Sequence, residues 1–326
     1  MRKQILNWLL ATLLLTTVSL AQAQPQAKVP KLGWLSPLPR ASDGQIELLE
    51  RELRALGYVE GKNIAKEYRH ADNKLDRFPA LAEELVGLKV DVLVVSSTAA
   101  ALALRNATRT IPIIFLNVSD PVASGLIDSL ARPGGNITGI TNIVGVLAGK
   151  RLELLKETVS KLLRVALLWR PQDLASAQQW KESQLPAREL GLQLHSMEVN
   201  SADKYESAFK EATKARSAAL AVTQHSLALS NRKQIADLAT KHRMPAIYAR
   251  KDFVESGGLM SYGDDQVELY KRVAVFVDKI LKGTKPADIP VEQPMRFEFI
   301  INLIAAKQIG LTIPPNVLVR ASKVIR

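Results

Sequence analysis

The stretch VDVLVVSSTAAALALRNA, residues 90–107, contains the unit from which the whole chain is built. Residues 90–95 form a short, β-branched apolar run, which is typical of a buried strand in a parallel sheet. Three polar residues follow directly, and the alanine-rich segment 99–107 predicts a helix. Because a strand that turns directly into a helix is the repeating unit of α/β proteins, this stretch predicts an α/β fold with a parallel sheet.

The same alternation continues on both sides of this unit. Strands are predicted at 31–35, 64–68, 111–116, 164–169, 194–199, 218–222 and 244–248. Helices are predicted at 46–56, 78–88, 178–190, 205–215 and 232–242. Similar segments, such as Ile111-Pro112 and Met244-Pro245, recur in the two halves at a spacing too long for a solenoid. The chain is therefore predicted to form two doubly wound, Rossmann-like lobes with parallel sheets, joined by a hinge.

The lobes are predicted to exchange chain several times. The chain is expected to cross to the second lobe between Asn136 and Thr141 and to return within 257–265, which leads into a helix at 266–281. A late strand is predicted at 291–301. The predicted N-terminal lobe comprises 24–141 and about 266–290, and the C-terminal lobe comprises 142–265 and about 291–326. Because several crossings form a hinge, the lobes are expected to close around a ligand in the cleft between them.

The first residues predict export. Arg2 and Lys3 precede an apolar run that ends in Ala21-Gln22-Ala23, which indicates a signal peptide at 1–23 and a periplasmic protein. The alternative is an uncleaved membrane anchor, although Asn7 interrupts the run and its length barely spans a bilayer. The chain has no cysteine, which excludes disulfides, thiolate metal sites and cysteine nucleophiles.

The net charge of +12 raises the question of nucleic-acid binding. The basic residues are dispersed in pairs such as Lys150-Arg151 and Lys271-Arg272, and aromatic side chains do not alternate with them. This pattern indicates a solvated basic surface, and no nucleic-acid partner is predicted.

Catalytic and metal-binding motifs are absent from the sequence. The four histidines show no ligand spacing, and the chain contains neither a Gly-x-Ser-x-Gly elbow nor a phosphate-binding loop. The glycines at 132–136 follow a predicted helix and indicate a turn. We therefore predict no catalytic residue, metal or cofactor, although the sequence alone does not exclude a pair of carboxylates assembled in space.

The ends of the predicted strands carry the candidate ligand-binding residues. These are Trp34, Ser36, Ser96, Ser97, Thr98, Asn117, Asp120, Thr141, Trp169, Thr223, Gln224, Tyr248 and Tyr262. Residues 96–98 begin a helix and favour either an anion or a simple N-cap. Asp120 precedes Pro121, which predicts a helix N-cap or a contact with a ligand ammonium. The four aromatic side chains predict either core packing or contact with an apolar ligand.

Several longer segments resemble one protein family. They are NVSDPVASGL at 117–126, LARPGGNITG at 130–139, KRLELLKE at 150–157, GLMSYG at 258–263 and LKGTKPADIPVEQP at 281–294. The chain resembles the ABC transporter substrate-binding proteins that include members for tryptophan and other aromatic amino acids. The resemblance implies a type I periplasmic-binding fold with three crossings and delivery of a small solute to a membrane permease.

The resemblance also implies roles for particular residues. Ser97 and Thr98 would hold a carboxylate or a polar head group, Asp120 would face the cleft, and Tyr262 would lie near the hinge. The chain lacks the cysteine to which lipoprotein members attach lipid, which implies a free protein in a Gram-negative periplasm.

The expected function is a monomeric receptor for an ABC importer. Its ligand would be an aromatic or branched-chain amino acid, or a similar small carboxylate, that it hands to the permease subunits. One alternative is a periplasmic sensor that presents its ligand-bound form to a membrane receptor, and another is an enzyme on the same scaffold. A sugar-responsive repressor would need a DNA-binding headpiece where this chain has the predicted signal peptide.

Overall fold

Two sheets organise the chain. The computed structural model describes residues 28–143 and 145–326, so the predicted signal peptide lies outside the described residues. One sheet has five strands, in the order 65–70, 31–36, 92–95, 113–118 and 137–141, and the other has seven, in the order 323–325, 297–302, 260–264, 246–248, 219–222, 164–169 and 193–198. Within the described part of the chain, no helix is long and apolar enough to cross a membrane.

The first sheet is entirely parallel. Its strands are β1 (Lys31–Ser36), β2 (Ala65–His70), β3 (Val92–Val95), β4 (Ile113–Val118) and β5 (Ile137–Thr141). The central strands β3 and β4 are buried along their whole length, which explains their continuous β-branched and aliphatic sequence. Both faces of this sheet are therefore covered.

Four helices cover the first sheet. They are α1 (Gln45–Ala55), α2 (Phe78–Gly87), α3 (Thr98–Ala107) and α10 (Gln266–Leu281). Helices α1 and α10 pack against one face with Trp34 and Val94, and helices α2 and α3 pack against the other with Val95 and Phe115. Helix α10 therefore belongs to the first lobe, although it follows most of the second lobe in sequence.

The second sheet is parallel except for the pairing of β10 with β11. Its strands are β6 (Arg164–Trp169), β7 (Gln193–Glu198), β8 (Ala219–Val222), β9 (Ala246–Tyr248), β10 (Met260–Asp264), β11 (Phe297–Asn302) and β12 (Lys323–Ile325). Its helices are α4 (Val146–Thr158), α5 (Leu174–Glu189), α6 (Tyr205–Lys214), α7 (Ser226–Ser230), α8 (Arg232–Lys241), α9 (Lys251–Glu255), α11 (Leu303–Gln308) and α12 (Pro315–Leu318). Apolar clusters again fill both faces of the sheet.

The chain first crosses between the lobes at a later residue than the sequence predicts. The expectation of a crossing between Asn136 and Thr141 is wrong, because residues 137–141 form β5 and pair with β4. The chain crosses after Thr141, returns between β10 and α10, and crosses again before β11. Near the last crossing, Glu292 still forms a bridge with Ile140 of the first sheet. The crossing segments are thus extensions of strands in both sheets.

Buried charges occupy the second crossing. The Nη1 atom of Arg250, after β9, donates to Gln266 Oε1 at the start of α10 at 2.6 Å, and Arg250 Nε pairs with Asp252 at 2.9 Å. Asp264 at the end of β10 is only 9% exposed. Burial raises the pKa of Asp264 to about 6, although the charges of Arg151 and Arg250 oppose that shift. The hinge therefore contains a carboxylate that titrates above the usual range of aspartate.

We expect Phe276→Ala to lower the stability of the first lobe. Phe276 of α10 is fully buried against the first sheet, so its truncation should lower the free energy of unfolding by about 3–5 kcal/mol. The control is Val319→Ala at a side chain that is 82% exposed, where the change should stay within about 0.5 kcal/mol. Denaturant unfolding followed by circular dichroism measures both, and equal stabilities would contradict the docking of α10 on the first lobe.

The raised pKa of Asp264 predicts how stability depends on pH. The unfolded chain loses this proton near the ordinary value of 3.8, and the folded chain keeps it until about pH 6. Stability from this group is therefore complete below pH 3.8 and is lost as the pH rises through 6. Relative to wild type, Asp264→Asn should gain at most about 3 kcal/mol between pH 4 and pH 7. Denaturant unfolding of both proteins across this range measures the gain, and a difference that does not change with pH would refute it.

Candidate ligand cleft

A cavity lies between the two lobes, where the carboxyl ends of both sheets meet. It contains about 630 Å³ of empty space, measured out to its opening into solvent. The first lobe lines it with residues that follow β1, β2, β3 and β5 and with Asn117 of β4, and the second lobe with residues that follow β6, β8 and β9. Because ligands of open parallel sheets bind beyond the carboxyl ends of the strands, this cavity is the candidate site.

Five residues predicted from the sequence line this cavity. They are Ser96, Ser97, Thr98, Asn117 and Gln224. Ser97 is the N-cap of α3, and its Oγ accepts a hydrogen bond from the Ala100 N–H at 3.2 Å. Thr98 Oγ1 accepts from the Ser119 N–H at 3.3 Å. Both hydroxyl hydrogens remain available as donors, since each oxygen is used here only as an acceptor.

Two long helices begin at the cavity, one from each lobe. Residues 97–99 at the start of α3 and 173–175 at the start of α5 lie in its wall. The first N–H groups of a helix have no partner within the helix, and the helix dipole adds partial positive charge there. The short helix α7 also begins at the wall, with Ser226. The cavity therefore presents backbone donors from both lobes.

Asp173 is the carboxylate in the described wall of the cavity. Its Oδ1 accepts from the Ser176 N–H at 2.9 Å, which makes it the N-cap of α5. Burial raises the pKa of Asp173, although this hydrogen bond and the charge of Arg170 oppose the shift. A carboxylate that has lost its water in this way favours a cationic partner.

His225 contributes a neutral ring to the wall. Its Nδ1 accepts from the Ala228 N–H at 3.2 Å, so the ring proton lies on Nε2. Burial and the nearby charge of Arg170 lower the pKa of His225 to about 3. Its Nε2 atom, and the Oγ atoms of Ser96 and Ser226, have no hydrogen-bond partner among the described residues. The wall therefore contains polar atoms from both lobes that a ligand can satisfy.

Gln224 is held by an amide from the neighbouring helix. The Gln224 N–H donates to Gln179 Oε1 at 2.9 Å, and Gln179 Nε2 donates to the Gln224 carbonyl at 3.2 Å. This arrangement directs the Gln224 side chain across the cleft, where its Nε2 approaches Asn117 Oδ1 at 3.5 Å. Asn117 adopts a left-handed conformation with φ of 55° at an irregular position of β4. Two amide side chains therefore face each other between the lobes.

The apolar part of the wall is aliphatic. It consists of Pro37, Leu38, Leu75, Leu174 and Leu229, together with two alanines. Among the described residues that line the cavity, no side chain is a phenylalanine, tyrosine or tryptophan. Leu38 follows β1 of the first lobe, yet it is buried in an apolar cluster of the second lobe. The walls of the cavity therefore already meet across the cleft.

Two predicted residues lie in a neighbouring depression. Asp120 and Thr141 line a separate groove between the lobes, which also contains Gln178 and Glu182. Asp120 Oδ1 accepts from the Ala123 N–H at 2.9 Å within a turn. The expectation that Asp120 begins a helix is wrong, because residues 121–125 form turns and Asp120 itself has a φ of 40°. Thr141 Oγ1 donates to the Val118 carbonyl at 2.8 Å.

Three predicted residues lie behind the wall. Ser36 Oγ accepts from the Leu38 N–H at 3.1 Å and thereby positions the loop that reaches the second lobe. Thr223 Oγ1 lies 2.7 Å from Ser176 Oγ in the first turn of α5. Trp34 is fully buried in the core of the first lobe, and its Nε1 donates to Asp43 at 3.2 Å. These residues support the wall from behind and do not line the cavity.

The remaining aromatic candidates lie away from the cavity. Trp169 stacks on Trp180 with ring centroids 5.2 Å apart, and Tyr248 stacks on Phe253 at 4.5 Å in the core of the second lobe. Tyr262 packs near Phe297 and Phe299, and its carbonyl accepts from Arg151. The structure thus assigns all three rings to packing within the second lobe.

Sequence reasoning missed several residues of the wall. Asp173 escaped because the helix was predicted to begin at Gln178, whereas α5 begins at Leu174. An aspartate before a helix is a recognisable N-cap signal, so Asp173 could have been found. His225 is the N-cap of α7 through its ring nitrogen. Leu38 lies at the cavity because the two lobes contact each other there. Neither has a sequence signal. Among the described residues, no group of three or more His, Asp or Glu is placed to hold a metal ion.

Comparisons with known proteins agree with this architecture. Residues 41–325 match the ABC transporter substrate binding protein family. The chain is 28% identical over 265 residues to the tyrosine-binding protein of Clostridioides difficile strain R20291, an alignment that covers 81% of this chain and 75% of that protein.

Two solved structures are similar to this chain over most of its length. One is a domain from Streptococcus pneumonia in complex with L-Trp, at 26% identity and a TM-score of 0.82, covering 91% of this chain and 99% of that one. The other is the ligand-free, open structure of CD0873 from Clostridium difficile, at 26% identity and a TM-score of 0.65 with the same coverage. The structure of this chain is thus more similar overall to the tryptophan complex than to the ligand-free, open structure.

The family resemblance and the fold class predicted from the sequence are both confirmed. The two lobes form the type I periplasmic-binding fold, and the cavity lies between their sheets. With a family match that extends over most of its length, this chain belongs to the ABC transporter substrate-binding proteins.

Proposed function

We propose that this protein captures an amino acid with an apolar side chain between its lobes and delivers it to an ABC permease. It would act in the periplasm as a monomer that presents both lobes to the permease. The named ligands of its relatives, tyrosine and L-Trp, support an amino acid as the class of solute. The observation that carries the proposal is the wall of the cavity, which offers separate partners for an anion, a cation and an apolar group.

The start of α3 is the proposed site for the ligand carboxylate. The backbone N–H groups at this end of the helix, the hydroxyls of Ser97 and Thr98, and the unpartnered Oγ of Ser96 supply donors within a few residues. The helix dipole adds favourable charge. Charge-assisted hydrogen bonds to a carboxylate are among the strong ones in proteins.

Asp173 is the proposed partner of the ligand ammonium. It begins α5 in the second lobe, so the two charged groups of one amino acid would contact different lobes. Binding at one end of the ligand alone would leave the other charged group without its protein partner. The zwitterion therefore favours the closed arrangement over the open one.

The aliphatic wall is the proposed site for the ligand side chain. Leu38, Leu75 and Leu229 supply apolar surface without a hydrogen-bonding group. Burial of an apolar side chain against such a wall contributes about 25 cal/mol for each Å² removed from water. Branched-chain and aromatic side chains both meet this requirement, whereas a charged side chain would lose its hydration without finding a partner.

A ligand screen tests the proposed function. At 100 times its Kd, a ligand should stabilise the protein by about 2.7 kcal/mol and raise the melting temperature by a few degrees. We expect this shift with leucine, isoleucine, phenylalanine, tyrosine or tryptophan, and not with aspartate, lysine or sugars. The ligand should be recovered chemically unchanged by mass spectrometry. A shift with sugars alone, or conversion of the ligand, would contradict the proposal.

Asp173→Asn tests the ammonium contact. Asparagine is an equally good N-cap, so α5 should remain folded, while the charge is removed. Loss of a hydrogen bond to a charged group should weaken amino acid binding by about 1.5–3 kcal/mol, or roughly 10–150-fold in Kd. The affinity for the matching hydroxy acid, which lacks the ammonium, should fall much less on the same substitution.

Asp120→Asn is the matched control. Asp120 was the carboxylate predicted from the sequence to contact an ammonium, and it lies in the neighbouring groove. Titration calorimetry should find that Asp120→Asn leaves the Kd for the amino acid unchanged. If Asp120→Asn weakens binding and Asp173→Asn does not, the ligand is oriented differently from the proposal.

A further inference from the structure

We infer that Asn73, Ser230 and Arg170 form a clasp between the lobes that sets the affinity for the ligand without touching it. The inference rests on the proposed function, since it concerns how tightly a captured solute is held. Asn73 lies in the loop after β2 of the first lobe, whereas Arg170 follows β6 and Ser230 ends α7 in the second lobe. The clasp therefore joins one loop of the first lobe to two segments of the second.

Two hydrogen bonds of Asn73 hold the lobes together in the clasp. Asn73 Nδ2 donates to Ser230 Oγ at 2.9 Å, and Ser230 Oγ in turn donates to the Ser226 carbonyl at 2.7 Å. The Nη2 atom of Arg170 donates to the Asn73 carbonyl at 3.1 Å. One residue of the first lobe thus binds both segments of the second lobe, by its side chain and by its backbone.

The backbone of the Asn73 loop is set for this contact. Asp72 and Asn73 both adopt the left-handed region, with φ of 53° and 63°. The Asn73 N–H donates to the Pro37 carbonyl at 2.8 Å, which ties the loop to the segment that carries Leu38. Two consecutive left-handed residues other than glycine are uncommon and need support from surrounding contacts. The clasp supplies such support when the lobes are together.

Arg170 makes the clasp sensitive to closure. The residue is only 9% exposed, and its charge acts on the nearby Asp173 carboxylate. Its Nε and Nη1 atoms have no hydrogen-bond partner in the described part of the chain. The Asn73 carbonyl is thus the acceptor that closure supplies to this guanidinium, and separation of the lobes removes it.

The clasp lies beside the cavity and not in its wall. Leu75 and Leu229, which line the cavity, are close neighbours of Asn73 and Ser230 in sequence, but no clasp residue lines it. A contact of this kind acts on the equilibrium between open and closed lobes. When a ligand binds the closed form, the apparent Kd rises in proportion as the closed fraction falls. The clasp should therefore affect all ligands by one common factor.

Asn73→Gly and Ser230→Ala test the clasp. Glycine accepts the left-handed backbone and keeps the carbonyl for Arg170, so Asn73→Gly removes only the side-chain contact. Loss of one hydrogen bond should raise Kd by about 2–13-fold in each variant. The increase should lie in the dissociation rate, and the double variant should bind about as well as either single variant.

The control is Ser207→Ala, which removes a surface hydroxyl that donates to the Lys204 carbonyl within the second lobe. It should leave Kd unchanged, and the melting temperatures without ligand should show that all variants fold. Unchanged Kd values in the clasp variants, additive effects in the double variant, or factors that differ between leucine and phenylalanine would overturn the inference.

Failure of the proposed function would be distinguishable from failure of the clasp. If the wild-type protein binds none of the amino acids, the proposed function fails, and small-angle scattering of the ligand-free proteins tests the clasp. Asn73→Gly should then show a larger radius of gyration than wild type and Ser207→Ala. Equal radii would overturn the clasp, whatever solute the protein binds.

Discussion

The direction of the strands in the two sheets determines where this protein can bind anything. In a parallel βαβ unit, each helix begins near the carboxyl end of the strand before it, so its unpaired N–H groups collect at that edge. The two lobes face each other by these edges, and α3 and α5 therefore begin at the same cavity. Partial positive charge from both lobes converges on one small volume. This partial positive charge favours an anionic group in the cavity, and Asp173 adds a negative charge at the start of α5.

The closed arrangement without a ligand carries an energetic penalty. Ser96 Oγ, Ser226 Oγ and His225 Nε2 are buried without partners among the described residues, and each such group costs about 1–3 kcal/mol. Contacts between the lobes, including Leu38 in the second core and the hydrogen bonds of Asn73, favour closure. These two sets of contributions oppose each other. A ligand that satisfies the polar atoms would remove this penalty and thereby favour the closed arrangement.

The architecture was predictable because it depends on local patterns. The apolar runs that form β3 and β6 and the periodic segment that forms α10 show their structure within a few residues, and α10 has the predicted bounds. The first crossing was harder to predict. The sequence of β5 is Ile-Thr-Gly-Ile-Thr, which is not a continuous apolar run, and its strand conformation depends on pairing with β4. The clasp was not predictable at all. Asn73 and Ser230 are separated by 157 residues, and only the packing of the lobes brings them together.

The location of the aromatic side chains shows that a position near the end of a predicted strand does not by itself place a residue at the cavity. Trp34, Trp169, Tyr248 and Tyr262 all lie within strands. Side chains of a strand alternate between its two faces, and both faces are covered in this fold. Trp34 and Tyr248 are therefore buried in the cores, and Trp169 and Tyr262 pack on neighbouring side chains of the second lobe.

The residues that reach the cavity follow the last paired residue of a strand. Ser96 and Ser97 lie beyond β3, and Gln224 lies beyond β8. Asn117 is within β4, but at the position where the pairing with β5 shifts register. Contact with a ligand thus requires that the backbone leave the sheet. This requirement explains why small polar and aliphatic residues from loops and helix ends line the cavity, while the rings that were predicted to lie near it stabilise the lobes instead.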